Sequence, residues 1–209
     1  MYSVSNENRK AAIMLDELKK LFLRKHHTYK EKYNIRLELT TDFSHGAVQT
    51  IQAISWLPKA ITADIFAEED LVVIGIVIPE YGHVTRFQKF LKRNRIRHID
   101  YFTTEAFSDY YDGVTGILLF SVQRKDLYLN KLITACLYSD FHSLNPLVPK
   151  ITERTFFYNS SKKLLFHIYD DRGCDIWSPD KETAAFYYQK YQKYILDYDR
   201  KEIDSWFQD

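Results

Sequence analysis

Only two cysteines, six glycines and five prolines occur in the 209 residues. Two thiols, Cys136 and Cys174, are too few for a disulfide-stapled secreted scaffold and lack zinc-ligand spacing, so both are expected to be free. Scarce glycine and proline argue against a loop-dominated chain. No stretch carries the Pro/Gly/Ser bias of a flexible linker, so residues 1–209 read as a single domain. The most apolar run, 71–79, is far too short to cross a bilayer as a helix, and the polar first eight positions lack a signal-peptide core. A cytoplasmic protein with no membrane partner is the expectation. The seven histidines form no His-x-x-x-His pair, and there is no Gly-x-Ser-x-Gly elbow, phosphate-cradling loop or dinucleotide fingerprint. No metal or cofactor is therefore expected, and an enzyme is the less favoured class.

What is present is aromatic and evenly charged. Tyrosine contributes 16 residues and phenylalanine 14, within a 45% hydrophobic composition, which is ample for a sizeable core. The 29 basic and 28 acidic side chains leave a formal charge of +1, which argues against wholesale coating of nucleic acid or membrane, and any electrostatic role must be local.

Periodicity supplies the elements. Ala11, Leu15, Leu18 and Phe22 recur at helical spacing, with cations toward the C-terminal end that suit the helix dipole. Ile35-Arg36-Leu37-Glu38-Leu39 alternates like a strand with one wet face. Between residues 45 and 68 the helical pattern returns, and Pro58 predicts a kink or a break into two helices. The β-branched run 71–78 predicts a central strand buried on both faces. A helix with a basic outer side follows at about 84–93, then strands at 98–102 and 116–123 and a helix from 127 to about 140. Pro146 and Pro149 mark an extended connection. Strands at 155–158, 163–169 and 174–177 form an antiparallel meander, and Ser178-Pro179-Asp180 starts a long Tyr-rich helix, with serine read as its cap. The mixed order predicts an α+β fold: a mixed, largely antiparallel sheet with helices packed against it and a long C-terminal Tyr-rich helix.

Two clusters are candidate sites. In Asp170-Asp171-Arg172-Gly173-Cys174-Asp175 the glycine fits a turn needing positive φ, and the aspartates can accept bonds from turn amides. Asp170, Asp171 and Asp175 could alternatively hold a divalent cation, although their spacing departs from a calcium loop. Asp197, Asp199 and Arg200 lie near the end of the Tyr-rich helix, and Arg172 or Arg200 is expected to bond a carboxylate of the other segment, fastening turn to helix. The second cluster is Arg86, Lys89, Lys92, Arg93, Arg95 and Arg97, a face for an anionic partner whose default reading is a solvated helix surface. The tyrosine stripe is read as core-facing with hydroxyls at the rim. His167 is the base nearest in sequence to Cys174, which makes a cysteine nucleophile a weak further idea.

Residues 166–175 (Phe-His-Ile-Tyr-Asp-Asp-Arg-Gly-Cys-Asp), followed by Tyr194-Ile195-Leu196-Asp197-Tyr198-Asp199-Arg200, Ile203-Asp204 and Phe207, resemble the C-terminal signature of the bacterial domain-of-unknown-function family 3885. Ile35-Arg36-Leu37-Glu38-Leu39 resembles that family's first strand. The resemblance implies a small bacterial cytoplasmic protein and carries no activity, cofactor or catalytic residue. The favoured function is a non-enzymatic module, immunity-type or regulatory, whose partner is another protein. The alternative is an enzyme or small-ligand domain using the acidic turn with Arg200, and nucleic-acid binding through residues 86–97 ranks below both.

Overall fold

Among the described residues seven strands form one sheet in the order β1-β7-β6-β5-β2-β4-β3, every adjacent pair antiparallel. The computed structural model describes residues 6–22, 31–39, 46–78, 91–92, 96, 98–104, 115–144 and 154–208. In chain order these carry α1 (Asn6–Phe22), β1 (Asn34–Glu38), α2 (Ala47–Ile54), α3 (Trp56–Ile65), β2 (Leu71–Ile78), β3 (His98–Thr104) and β4 (Thr115–Gln123). Then come α4 (Leu129–Leu137), β5 (Thr155–Asn159), β6 (Leu164–Ile168), β7 (Gly173–Trp177), α5 (Lys181–Tyr191) and α6 (Asp197–Phe207). The α+β class, the largely antiparallel sheet and the C-terminal helical cover match the sequence reading. Among the described residues no helix is long and apolar enough to cross a membrane.

Strand alternation sorts the core into two layers. Ile35, Leu37, Ile74, Ile76, Phe120, Phe166 and Ile176 face the larger one, where Ile51, Ile61, Ile65, Leu132, Tyr191 and Ile203 of the helices meet them. Val73, Val77, Leu119, Leu165 and Trp177 face the other, covered in part by Met14 and Leu18 of α1. Fully buried Leu18 contributes about 2 kcal/mol at ordinary apolar transfer values. β2 is paired on both edges by β4 and β5, and its alternate residues enter the two core layers, so both its faces are covered, as its unbroken apolar run requires.

Three local details differ from the sequence reading. The break between α2 and α3 falls at Ser55 rather than at Pro58, because Pro58 sits in the first turn of α3, where a missing amide donor disturbs no intrahelical bond. The cap of α5 is Asp180, whose carboxylate accepts from the Thr183 amide at 2.7 Å, while the Ser178 hydroxyl accepts from the Asp180 amide at 3.2 Å. The long Tyr-rich helix is two helices separated by a 3-10 turn (Gln192–Tyr194), since Ile195 leaves helical geometry to bridge Leu37 on the outer edge of β1. That bridge, with α6 beside it, covers a sheet edge that would otherwise offer unpaired backbone groups.

The tyrosine stripe packs toward the core at Tyr187, Tyr188 and Tyr191 but not at Tyr198, which stands in solvent beyond the 3-10 turn. Tyr187 and Tyr191 are buried and aim their hydroxyls at Asp64 of α3, and Tyr188 stacks on Phe207 and donates to Asp204 at 2.8 Å. The C-terminal end of α3 is held from the sheet side as well. Asn159 donates to the Ile65 carbonyl at 2.8 Å and Lys162 donates to the same oxygen at 2.8 Å.

Candidate functional site

A row of side chains crosses four strands on the α1 side of the sheet. Register places Arg36 opposite Asp175, Asp175 opposite His167 and His167 opposite Phe156. The row is polar on one side and apolar on the other. Arg36 Nε lies 3.5 Å from Asp175 Oδ1, and His167 Nδ1 lies 3.7 Å from Asp175 Oδ2. The imidazole stacks on Phe156 with ring centroids 4.0 Å apart. Arg36 also reaches across the sheet edge to α6, where its Nη1 donates to Asp199 Oδ2 at 3.2 Å. Burial works to lower the pKa of Arg36, but Asp175, with Tyr169 and Asp199, more than offsets it, so the guanidinium stays charged.

Arg36 is therefore the fastener between the meander and the C-terminal helix, a role the sequence reading gave to Arg172 or Arg200. Both of those arginines turn to neighbours in the chain. Arg172 bonds the carboxylate of Asp170 within its own turn, and Arg200 bonds Asp197 at 3.3 Å and donates to the carbonyls of Gln192 and Ile195 at 3.1 and 2.7 Å. Arg200 thus closes the 3-10 turn that ends α5, and among the described residues its bonds run to Asp197, Gln192 and Ile195 rather than to residues 170–175. The signal for Arg36 was its place on the wet face of an alternating strand, but only the pairing of β1 with β7 shows what that face meets.

Gly173 corrects a second expectation. It lies inside β7, and among the described residues Gly46 is the glycine with positive φ. Its lack of a side chain serves a close approach instead: a Cβ there would overlap the hydroxyl of Tyr169 and fall 2.7 Å from that ring. Tyr169 closes over the turn next to His167, centroids 5.4 Å apart, and its phenol is pushed up by burial and by Asp175.

The acidic turn divides. Asp175 joins the Arg36 row, whereas Asp170 and Asp171 meet Asp140, which follows α4; ligand oxygens of these three lie within 4.8 Å of one another. They are the described carboxylates that could share a divalent cation, with the Asp170 group already engaged by Arg172. Asp140 carried no sequence signal, since only the packing of α4 brings it there. Asp171 is 2% exposed, and burial, with Asp170 and Asp140 nearby, raises its pKa above the ordinary 3.8. A carboxyl raised in the folded state weakens folding at neutral pH and regains that loss as pH falls through the raised value. Asp171→Asn is accordingly expected to raise the unfolding midpoint at pH 7, with the gain shrinking as pH approaches 4. Melting curves at the two pH values check it, and an equal or opposite shift at both would exclude the charge as the cause.

Cys174 and His167 cannot act together. Cys174 faces the larger core layer beside Ile168, whereas His167 points to the α1 side, and burial raises the Cys174 thiol well above its ordinary range. The His167–Asp175 pair has the chemistry of a proton relay, but both side chains are 3% exposed and Phe156 stacks on the imidazole. Of the basic face, Lys92 is exposed; Arg86, Lys89, Arg93, Arg95 and Arg97 lie outside the described residues, as does the connection 145–150.

No solved structure matches the chain. The uncharacterised protein YnaE of Bacillus subtilis is 32% identical over 80 residues, a match spanning 35% of this chain and 36% of YnaE. A family model described as a domain of unknown function matches residues 14–199, from α1 through the Arg36–Asp199 contact, and the chain belongs to that family, DUF3885.

Proposed function

We propose that the protein is a non-enzymatic interaction module that binds another protein through an aromatic seam on its helical layer. One observation carries this reading: Trp56 of α3 is 51% exposed and meets Tyr194 edge-on at 5.6 Å, while Tyr198, four residues further on, is 89% exposed. Exposed tryptophan and tyrosine are costly to leave in water and are the side chains that dominate binding energy at protein interfaces. Lys193 lies 4.8 Å over the Tyr194 ring, which adds a cation at the rim and favours a partner with an acidic border around an apolar anchor.

The alternative, ligand chemistry at the acidic turn with Arg200, gains no such support, because Arg172 and Arg200 belong to separate hydrogen-bond networks.

A photo-crosslinking amino acid at position 198, with the same group at position 162 as control, tests the reading in extracts of the producing bacterium. The expected result is one discrete adduct from position 198, absent from position 162 and at least fivefold weaker in a Trp56→Ala background. Equal labelling from both positions, or no discrete adduct, would exclude the seam as a docking face.

A further inference from the structure

On the other side of the sheet, beyond the C-terminal end of α1, lies an open cleft of about 440 Å³. That volume falls within the range of small-molecule sites. Its floor is one register row: Tyr158 pairs with Leu165 and Leu165 with Trp177, so the two aromatic rings stand two strand spacings apart, roughly 10 Å. Tyr33 forms a side wall, and Lys20, Lys32 and Lys163 supply cations around the mouth.

Backbone conformation sets this cleft apart. Among the described residues two non-glycine positions have positive φ, Tyr33 at 68° and Lys163 at 50°, and both line it. Glycine or asparagine is the easier occupant of such positions. Here they carry a ring and an ammonium, so two turns that fold more readily without those side chains present them to the same space. Disfavoured backbone of this kind gathers at ligand sites. Among the described residues the Nε1–H of Trp177, buried beside the cleft, meets no hydrogen-bond acceptor.

The charges select the class of ligand. Glu17 is engaged by the Tyr158 hydroxyl and Lys20 by Asp16 at 2.6 Å, while Lys32 lies over the Tyr33 ring. Glu31 also lines the cleft, so three cations face two carboxylates, and Lys163, close enough to Asp180 to lower that carboxyl, is the cation assigned to an incoming acid.

We propose that this cleft binds a small planar aromatic anion, a ring of indole or nucleobase size bearing one carboxylate or phosphate, with the ring over the Tyr158–Trp177 floor and the acid on Lys163. The site is separate from the seam proposed above. Its occupancy would give the module a small-molecule input.

Titration of the full chain with AMP and with indole-3-acetate, followed by the Trp177 indole N–H resonance, tests the idea; adenosine, indole and inorganic phosphate serve as incomplete probes. Trp177→Phe identifies that resonance by its loss. The expected result is saturable movement with at least one of the two aromatic anions and binding at least tenfold weaker for its neutral counterpart and for phosphate. A preference for AMP assigns a nucleotide, and one for indole-3-acetate an aromatic acid. Lys163→Gly separates site from scaffold. Glycine suits φ 50°, so the melting temperature should hold or rise while affinity falls at least tenfold. Unchanged affinity in Lys163→Gly, or no movement of the Trp177 resonance with either anion at millimolar concentration, overturns the proposal.

Discussion

Replacing Arg36 with alanine is expected to destabilise the fold by about 3 kcal/mol, a fall of roughly 6–12 °C in unfolding midpoint for a chain of this size. The argument rests on what stays behind. The Asp175 side chain is 3% exposed and has Arg36 as its guanidinium partner, so truncation leaves a buried carboxylate beside His167 without that cation. Removing one member of a buried pair is far more damaging than removing both, because the desolvation of the survivor is no longer offset. The Arg36 side chain is itself 28% exposed, which places the effect at the lower end of the usual range. Two further losses accompany it: the 3.2 Å bond to Asp199 and the aliphatic stem packed at the edge of β1. Asp175→Asn in the Arg36→Ala background should recover at least half of the lost midpoint, since it removes the orphaned charge and keeps the shape. Thermal melts of the two single variants and the double variant measure this. A single-variant shift under 2 °C, or a double variant no better than Arg36→Ala, would mean that Asp175 does not depend on Arg36.

The comparison between Arg36 and the two arginines favoured by the sequence shows where reading a chain stops. Local pattern located the elements well, because apolar period and turn residues are properties of a few consecutive positions: Leu18 on α1, the run 71–78 as the central strand, and the meander 155–177. For the fastening bond between turn and helix the sequence points to the arginines inside the two charged clusters, Arg172 and Arg200. In the fold, Arg172 and Arg200 satisfy the nearest acceptors, Asp170 and the carbonyls of the 3-10 turn, as short-range geometry favours. The long-range bond falls to Arg36, 139 positions from Asp175 by their numbering, because β1 joins the far edge of the sheet next to β7. Strand order is set by loop closure and edge burial over the whole chain, and no window of ten residues encodes it. The same holds for Asp140, for the Trp56–Tyr194 contact and for the cleft under α1, each assembled from segments distant in sequence.

Gly173→Ala is expected to cost about 2 kcal/mol, and the reason separates crowding from backbone freedom. Were the position in the left-handed region, asparagine would be the mildest substitute and alanine somewhat worse. Gly173 instead pairs with Glu38 in regular antiparallel register, so its φ imposes no such ranking. What a methyl group meets is Tyr169, whose ring carbons would lie 2.7 and 2.8 Å away. Tyr169 cannot easily retreat, with His167 at 5.4 Å and Arg36 and Asp175 close enough to influence its phenol. The expected order of stability is therefore wild type, then Gly173→Ala, then Gly173→Asn, following side-chain size. A Tyr169→Ala background should remove most of the alanine penalty, because the space then stands open. Gly116 under the Tyr101 hydroxyl repeats the arrangement on β4, so the same order should hold there. Urea melts of these variants decide it: asparagine better tolerated than alanine at 173, or an alanine penalty that survives the loss of the Tyr169 ring, would show that the glycine serves the backbone and that Tyr169 merely lies nearby.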